Sequence, residues 1–109
     1  MKKKILIFGA GAIGRGFLAP LFFENGYEIS FVDNNKILVG KLKKREFYTV
    51  TETGIKDYKY KKIRISEAFH INEKIKTEKY DIVFCCVGPN ESRLIAKKFK
   101  KAKVVISCE

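Results

Sequence analysis

Acidic residues are scarce in this chain: 12 aspartates and glutamates stand against 23 lysines and arginines, a net charge of +11. There is one histidine, His70, and there are three cysteines, Cys85, Cys86 and Cys108. The cysteines fall in strand-like apolar runs without metal-ligand spacing, and no histidine is placed beside them. No metal site is therefore expected, and no Cys–His nucleophile. An odd number of thiols in such runs fits a reducing, cytoplasmic setting. His70 lies near a loop and reads as a structural or solvated ring. No apolar run approaches the roughly 20 residues of a membrane-spanning helix. Met1-Lys2-Lys3-Lys4 has the charged start of a signal peptide, but glycines interrupt the following apolar run at once and Arg15 comes next, so a strand is expected there. Repeats, linkers and low-complexity tracts are also lacking. The 109 residues, 46% of them apolar, fit one domain with a single core.

The surplus of cations is spread over Lys41 to Arg45, Lys59 to Arg64 and Lys97 to Lys103. Tyr58-Lys59-Tyr60-Lys61-Lys62 interleaves aromatic and basic residues as nucleic-acid-binding strands do. The basic residues converge on no one predicted element, so a solvated lysine-rich surface is expected rather than a nucleic-acid partner. Such a positive field would still steer an anionic cofactor or a phosphorylated substrate.

The most informative stretch is Gly9-Ala10-Gly11-Ala12-Ile13-Gly14, which follows the apolar run Ile5-Leu6-Ile7-Phe8 and opens a helical segment. Strand, glycine turn and helix are the context in which G-x-G-x-x-G predicts a dinucleotide site. Gly9 lets the chain turn off the strand, Gly11 leaves room for a pyrophosphate, and Gly14 lets the helix approach the sheet. The phosphates would meet the free N–H groups and positive dipole of the helix start. An acidic ribose partner is expected about twenty residues on. Asp33 stands 33 − 14 = 19 residues past Gly14.

Along the chain, Lys4 to Phe8 is expected as a strand and Ala12 to Asn25 as a helix capped by Gly26, bent where Pro20 cannot bond the Gly16 carbonyl. Glu28 to Val32 is a second strand, ending on Asp33. Asn34 to Lys44 is a helix with Ile37, Leu38 and Leu42 facing inward. Phe47 to Glu52, Thr53-Gly54 and Ile55 to Tyr60 form a β-hairpin inserted before a third sheet strand, Lys62 to Ile65. Ile71 to Lys79 is expected to be helical, Tyr80 to Val87 a buried strand, Gly88-Pro89-Asn90 a turn, and Glu91 to Lys100 a helix. Lys103 to Cys108 is a fifth strand, apolar on both faces as in a covered parallel sheet. This order fits an α/β, Rossmann-like doubly wound parallel sheet carrying an inserted hairpin, with the cofactor at the carboxyl ends of the first and fourth strands. Gly88 and Pro89 would face its nicotinamide half. Asp33 favours NAD, because a 2′-phosphate would meet its charge; the nearby lysines, from Lys36 on, weaken that exclusion without reversing it.

Phe8 to Phe17, then Phe31-Val32-Asp33-Asn34-Asn35, Val87-Gly88-Pro89-Asn90 and Ser107-Cys108-Glu109 together resemble the N-terminal domain of the polyol-specific long-chain dehydrogenases, in their mannitol-1-phosphate branch. The resemblance spans essentially the whole chain. It implies NAD(H)-dependent interconversion of mannitol 1-phosphate and fructose 6-phosphate, and it adds Asn34, Val87 and Glu109 to the cofactor-binding set. In that family the catalytic lysine, with its asparagine and histidine, lies in a helical C-terminal domain. No residue here matches those positions, so no catalytic residue is assigned. Residues 1–109 are expected to be a truncated N-terminal domain, inactive alone, which would pair with another copy through the edge of the fifth strand. Arg15 reads equally as a phosphate or substrate contact and as a surface arginine. Two alternatives stand beside this reading. One is a ketopantoate reductase-like NADP enzyme, which shares a Gly-Ala-Gly-Ala-Ile-Gly opening. The other is a nucleotide-sensing module that never catalyses.

Overall fold

A computed structural model of the chain describes residues 2–53, 58–88 and 95–108. Strand β1 (Lys4–Phe8) is the centre of the fold, and all four of its apolar residues are fully buried. It pairs in parallel with β2 (Glu28–Asp33) on one side and β6 (Ile82–Cys85) on the other. Outside these lie β5 (Glu67–His70) and β7 (Val105–Ser107), giving the parallel order β5-β2-β1-β6-β7. The strand alternation divides the core. Ile5, Ile7, Ile29, Phe31 and Phe84 pack on one face, and Leu6, Phe8, Val32, Val83 and Cys85 on the other.

The first face is covered by the helix after β1, by α2 (Lys36–Arg45) and by a separate antiparallel hairpin of β3 (Phe47–Thr53) and β4 (Tyr58–Arg64). The second is covered by the segment after β5 and by a 3₁₀ turn, Ala96–Phe99, whose Phe99 ring meets Phe8 edge-on at 4.9 Å.

The first helix enters through a π-helical turn, Gly14–Leu18, and continues as α1 (Ala19–Glu24). The Ala19 N–H bonds the Gly14 carbonyl, five residues back. In that register the Arg15 carbonyl would look to residue 20, which is a proline without an N–H. The Tyr48 hydroxyl, from β3, donates to it instead at 2.7 Å. The irregularity expected as a bend at Pro20 is a π-helical turn in the residues before it, and the carbonyl Tyr48 receives is that of Arg15 rather than Gly16. At the far end Gly26 (φ +83°) closes the helix: its N–H bonds Phe23 O, and the Tyr27 N–H bonds Phe22 O.

Several expectations are corrected. Ile37 does not face inward but is 73% exposed; Val39 and Leu42 are the buried residues of α2. Ile37 and Val39 sit about 200° apart around the helix, so only one can reach the sheet. Lys62 to Ile65 is no strand of the main sheet. Residues 62–64 belong to β4, pairing locally with β3, and only Ile63 and Ile65 of this stretch are buried. Exposed Lys62 and Arg64 alternating with Ile63 and Ile65 suit a strand with one wet face, whereas a central parallel strand is covered on both. The third strand of the sheet is instead the short β5, at an edge.

Ile71 to Lys79 is not a helix. The Ile71 N–H goes to the Asp33 carbonyl, the Glu73 N–H to the His70 carbonyl, and the Asn72 N–H to His70 Nδ1. Only Thr77–Lys79 forms a 3₁₀ turn. Strand β7 is not covered on both faces: Val104, Val105 and Ile106 are exposed. The second hairpin strand is Tyr58–Arg64 rather than Ile55 to Tyr60, and Thr53 pairs with Tyr58 instead of lying in the turn. Of the helix expected from Glu91 to Lys100, Ala96–Phe99 is a 3₁₀ turn; Gly54, Pro89-Asn90 and residues 91–94 lie outside the described residues. No helix among the described residues is long and apolar enough to cross a membrane.

Candidate functional site

Parallel strands deliver their carboxyl ends to one rim of the sheet, and here β1, β2 and β6 end around a cleft of about 670 Å³. Its wall includes Gly9 and Gly11 from the glycine turn, Asp33 and Asn34 from the end of β2, and Val87 and Gly88 beyond β6.

The turn is held at both ends. The Gly9 N–H bonds the Val32 carbonyl at 2.7 Å, and Gly9 adopts φ +102°. A Cβ there would lie 2.9 Å from the Cys86 carbonyl oxygen, so β-carbon and backbone hand both require glycine. At Gly14 a Cβ would fall 2.4 Å from the Gly9 carbonyl oxygen and 3.2 Å from Ile7 Cγ2: the helix lies directly on the turn. At Gly11 a Cβ would meet nothing within 4 Å and would stand at the cleft wall. The three glycines thus separate into one backbone role, one packing role and one that leaves the cleft open.

Asp33 organises the rim. Its Oδ2 accepts the Ala10 N–H at 2.7 Å and its Oδ1 accepts the Asn35 N–H at 2.8 Å. One carboxylate therefore ties the glycine turn to the start of α2, where Asn35 Oδ1 caps the helix by accepting the Leu38 N–H at 3.1 Å. Each carboxylate oxygen keeps a further lone pair for a hydroxyl. His70, lone in the sequence, is structural: Nε2 donates to the Asn34 carbonyl at 3.1 Å while Nδ1 accepts from Asn72.

Of the residues picked from sequence, Gly9, Gly11, Asp33, Asn34, Val87 and Gly88 share the cleft. Ala10 and Gly14 are buried beneath it, while Ala12 and Ile13 point to solvent. Pro89 and Glu109 lie outside the described residues. Ile71, Asn72, Cys86, Ile95 and Lys98 also line the cleft. They come from loops whose positions depend on β5, β6 and the 3₁₀ turn, and no local pattern marks them. Burial and the neighbouring Cys108 thiol push the Cys86 thiol up to about 12, so it stays neutral. Burial likewise raises the Tyr48 phenol, partly offset by the Arg15 charge, keeping its hydroxyl a donor. No cluster of three potential metal ligands occurs among the described residues.

This sheet order, with a glycine turn at the switch between β1 and its neighbours, defines a doubly wound Rossmann domain. A family model, the mannitol dehydrogenase Rossmann domain, matches residues 3–108, and the chain belongs to that family. Mannitol-1-phosphate 5-dehydrogenase of Alternaria alternata is 39% identical over 108 residues, covering 93% of this chain and 27% of that protein. The enzyme of the same name from Lactococcus lactis subsp. lactis (strain IL1403) is 36% identical over 126 residues, covering 98% of this chain and 32% of its own length. The chain thus spans about a third or less of the curated relatives it matches. Among solved structures, yersinopine dehydrogenase in its apo and NADP+-bound forms shares the fold, with a TM-score of 0.74 and 12% identity over 95% of this chain and 27% of that one.

Proposed function

We propose that this chain is the NAD(H)-binding part of an oxidoreductase that interconverts mannitol 1-phosphate and fructose 6-phosphate in the cytoplasm. The observation that carries this reading is the cleft itself: a glycine turn and Asp33 on one wall, Val87 and Gly88 on the other. The cradle fits a dinucleotide. Gly11 leaves room for a pyrophosphate beside the helix start, whose first N–H groups have no intrahelical partner. Asp33 would accept the adenosine ribose hydroxyls, with Asn34 beside it, and would repel a 2′-phosphate. Val87 and Gly88, with Pro89 next in sequence, would bound the nicotinamide end, and Glu109 would join the set there. A nicotinamide cofactor bound in this way supplies hydride chemistry.

The groups that act on the sugar phosphate would come from a further domain of a longer polypeptide. In support, Ile13, Phe17 and Leu21 form an exposed apolar stripe at i, i+4 and i+8 beside the glycine turn, at 50%, 64% and 46% exposure. That domain would pack on the stripe. The β7 edge, which pairs with no other strand among the described residues, would pair with a second copy of this chain. Sedimentation of the 109-residue chain should then show a dimer that Ile106→Lys dissolves; a monomer at high concentration would rule this out.

Calorimetry tests the cofactor reading. NADH should bind at least tenfold more tightly than NADPH, and Asp33→Asn should erase the difference. Equal affinity in the unsubstituted chain would overturn the NAD assignment, and no binding of either would overturn the site. The chain alone should not reduce fructose 6-phosphate; turnover would show that the reacting groups lie within it.

A further inference from the structure

The fold brings six lysines from two separate segments of the chain to one place. The segment after β5 and the 3₁₀ turn before β7 run side by side, joined where Thr77 Oγ1 donates to the Lys98 carbonyl at 3.1 Å. Between them is a cleft of about 380 Å³, lined by Lys74 and Lys76 from one segment and Lys97, Lys98, Lys100 and Lys101 from the other. One carboxylate, Glu78, shares it. The ion pairs among the described residues are Lys43–Glu73 and Lys61–Glu24, so none of the six lysines has a described carboxylate within 4 Å. Lys98 reaches only a backbone carbonyl, that of Glu73, at 3.5 Å.

We propose that this cleft binds the phosphate backbone of double-stranded nucleic acid without reading its sequence. Six cations facing one concavity repel one another, and a row of phosphates relieves that repulsion while releasing its counterions. The ammonium groups are mobile point charges rather than a rigid fork, which suits a repeating backbone better than one small oriented anion. No aromatic side chain lines the cleft, so the stacking that single strands need is missing. A lipid surface would call for apolar anchors beside the lysines, and the one apolar lining residue, Ile75, is half-buried. Lys98 also lines the dinucleotide cleft, so the test leaves it in place and uses lysines that line this cleft alone.

The test is fluorescence anisotropy of the full chain with a labelled 20-base-pair duplex. Contacts to about five phosphates predict a slope of log K against log salt of about −4 to −5. A slope shallower than about −2 would overturn the proposal. Lys97→Glu, Lys100→Glu and Lys101→Glu together should weaken binding at least tenfold at low salt. The control Lys2→Glu, Lys41→Glu and Lys44→Glu removes the same six units of charge from exposed positions elsewhere, and should change it less than threefold. Equal losses would show that net charge alone binds, and would overturn the cleft. If the charge reversals unfold the chain, Lys97→Gln, Lys100→Gln and Lys101→Gln should still weaken binding severalfold; no change would overturn it. Tighter binding to phosphatidylserine vesicles than to the duplex would also do so.

Discussion

Gly11 and Gly14 are three residues apart in one motif, yet they answer to different forces. A side chain at Gly14 must displace backbone at 2.4 Å, whereas one at Gly11 enters open space. Gly14→Ala should therefore destabilise the fold by about 3 kcal/mol, as overpacking against backbone does. Gly11→Val should leave the denaturation midpoint almost unchanged and still abolish dinucleotide binding. Denaturant titration and calorimetry on both variants separate the two effects. Tyr48 is the other decisive residue. It donates to the Arg15 carbonyl that the π-helical turn and Pro20 leave over. Tyr48→Phe keeps the ring against Phe31 and removes that donor. The loss should be about 2 kcal/mol in chemical denaturation, the cost of an unsatisfied buried acceptor.

Among the elements, α2 is fixed at both ends by side-chain and backbone chemistry. Asn35 caps its start, while Lys43, Lys44 and Arg45 lie over the negative end of its dipole. Its last turn closes on Glu46 at φ +61°, a left-handed conformation in a residue with a β-carbon. Glu46→Gly should raise stability by about 0.5 to 1 kcal/mol, read as a higher thermal midpoint. Neither cap of α2 is read from the sequence, where Asn34 and Asn35 stand side by side and Glu46 is not a residue that favours the left-handed conformation. Most of the buried face is read there: Leu42 is buried and Leu38 packs against the core, but Val39 takes the place expected for Ile37 once the sheet fixes which side of the helix faces it. The hairpin shows the same limit. Its first strand was legible, but the second was expected at Ile55 to Tyr60 and is Tyr58–Arg64, because pairing with β3 claims residues 62–64 that could be read as the next sheet strand.

For the molecule as a whole, the partly buried thiol and phenols fix how stability responds to base. Cys86 is raised from 9.0 to about 12, first by burial and then by the charge of Cys108; Tyr48 and Tyr80 are also raised, chiefly by burial. Between the unfolded and folded values the unfolded chain has lost protons that the folded chain retains. Stability is therefore complete below about pH 9 and falls as the pH rises beyond it. Denaturation midpoints measured from pH 8 to 11 should decline from about pH 9, and Cys86→Ser should remove the earliest part of the decline.

The sequence by itself determined the strand–glycine turn–helix unit, the placing of Asp33 at the rim beside that turn, the family and the class of fold. The turn and Asp33 rest on spacings within a few tens of residues, where the chain's own geometry leaves few alternatives; the family and fold class rest on motifs and element order along the whole chain. Tertiary structure alone decided that Glu67–His70 and not Lys62 to Ile65 completes the sheet, and that Ile71, Asn72 and Lys98 join the cleft. It also brought Lys74 and Lys76 beside the Lys97 to Lys101 run on one concavity. Those outcomes follow from which strand pairs with which and which surface is left uncovered, and a choice among distant partners leaves no mark in local sequence.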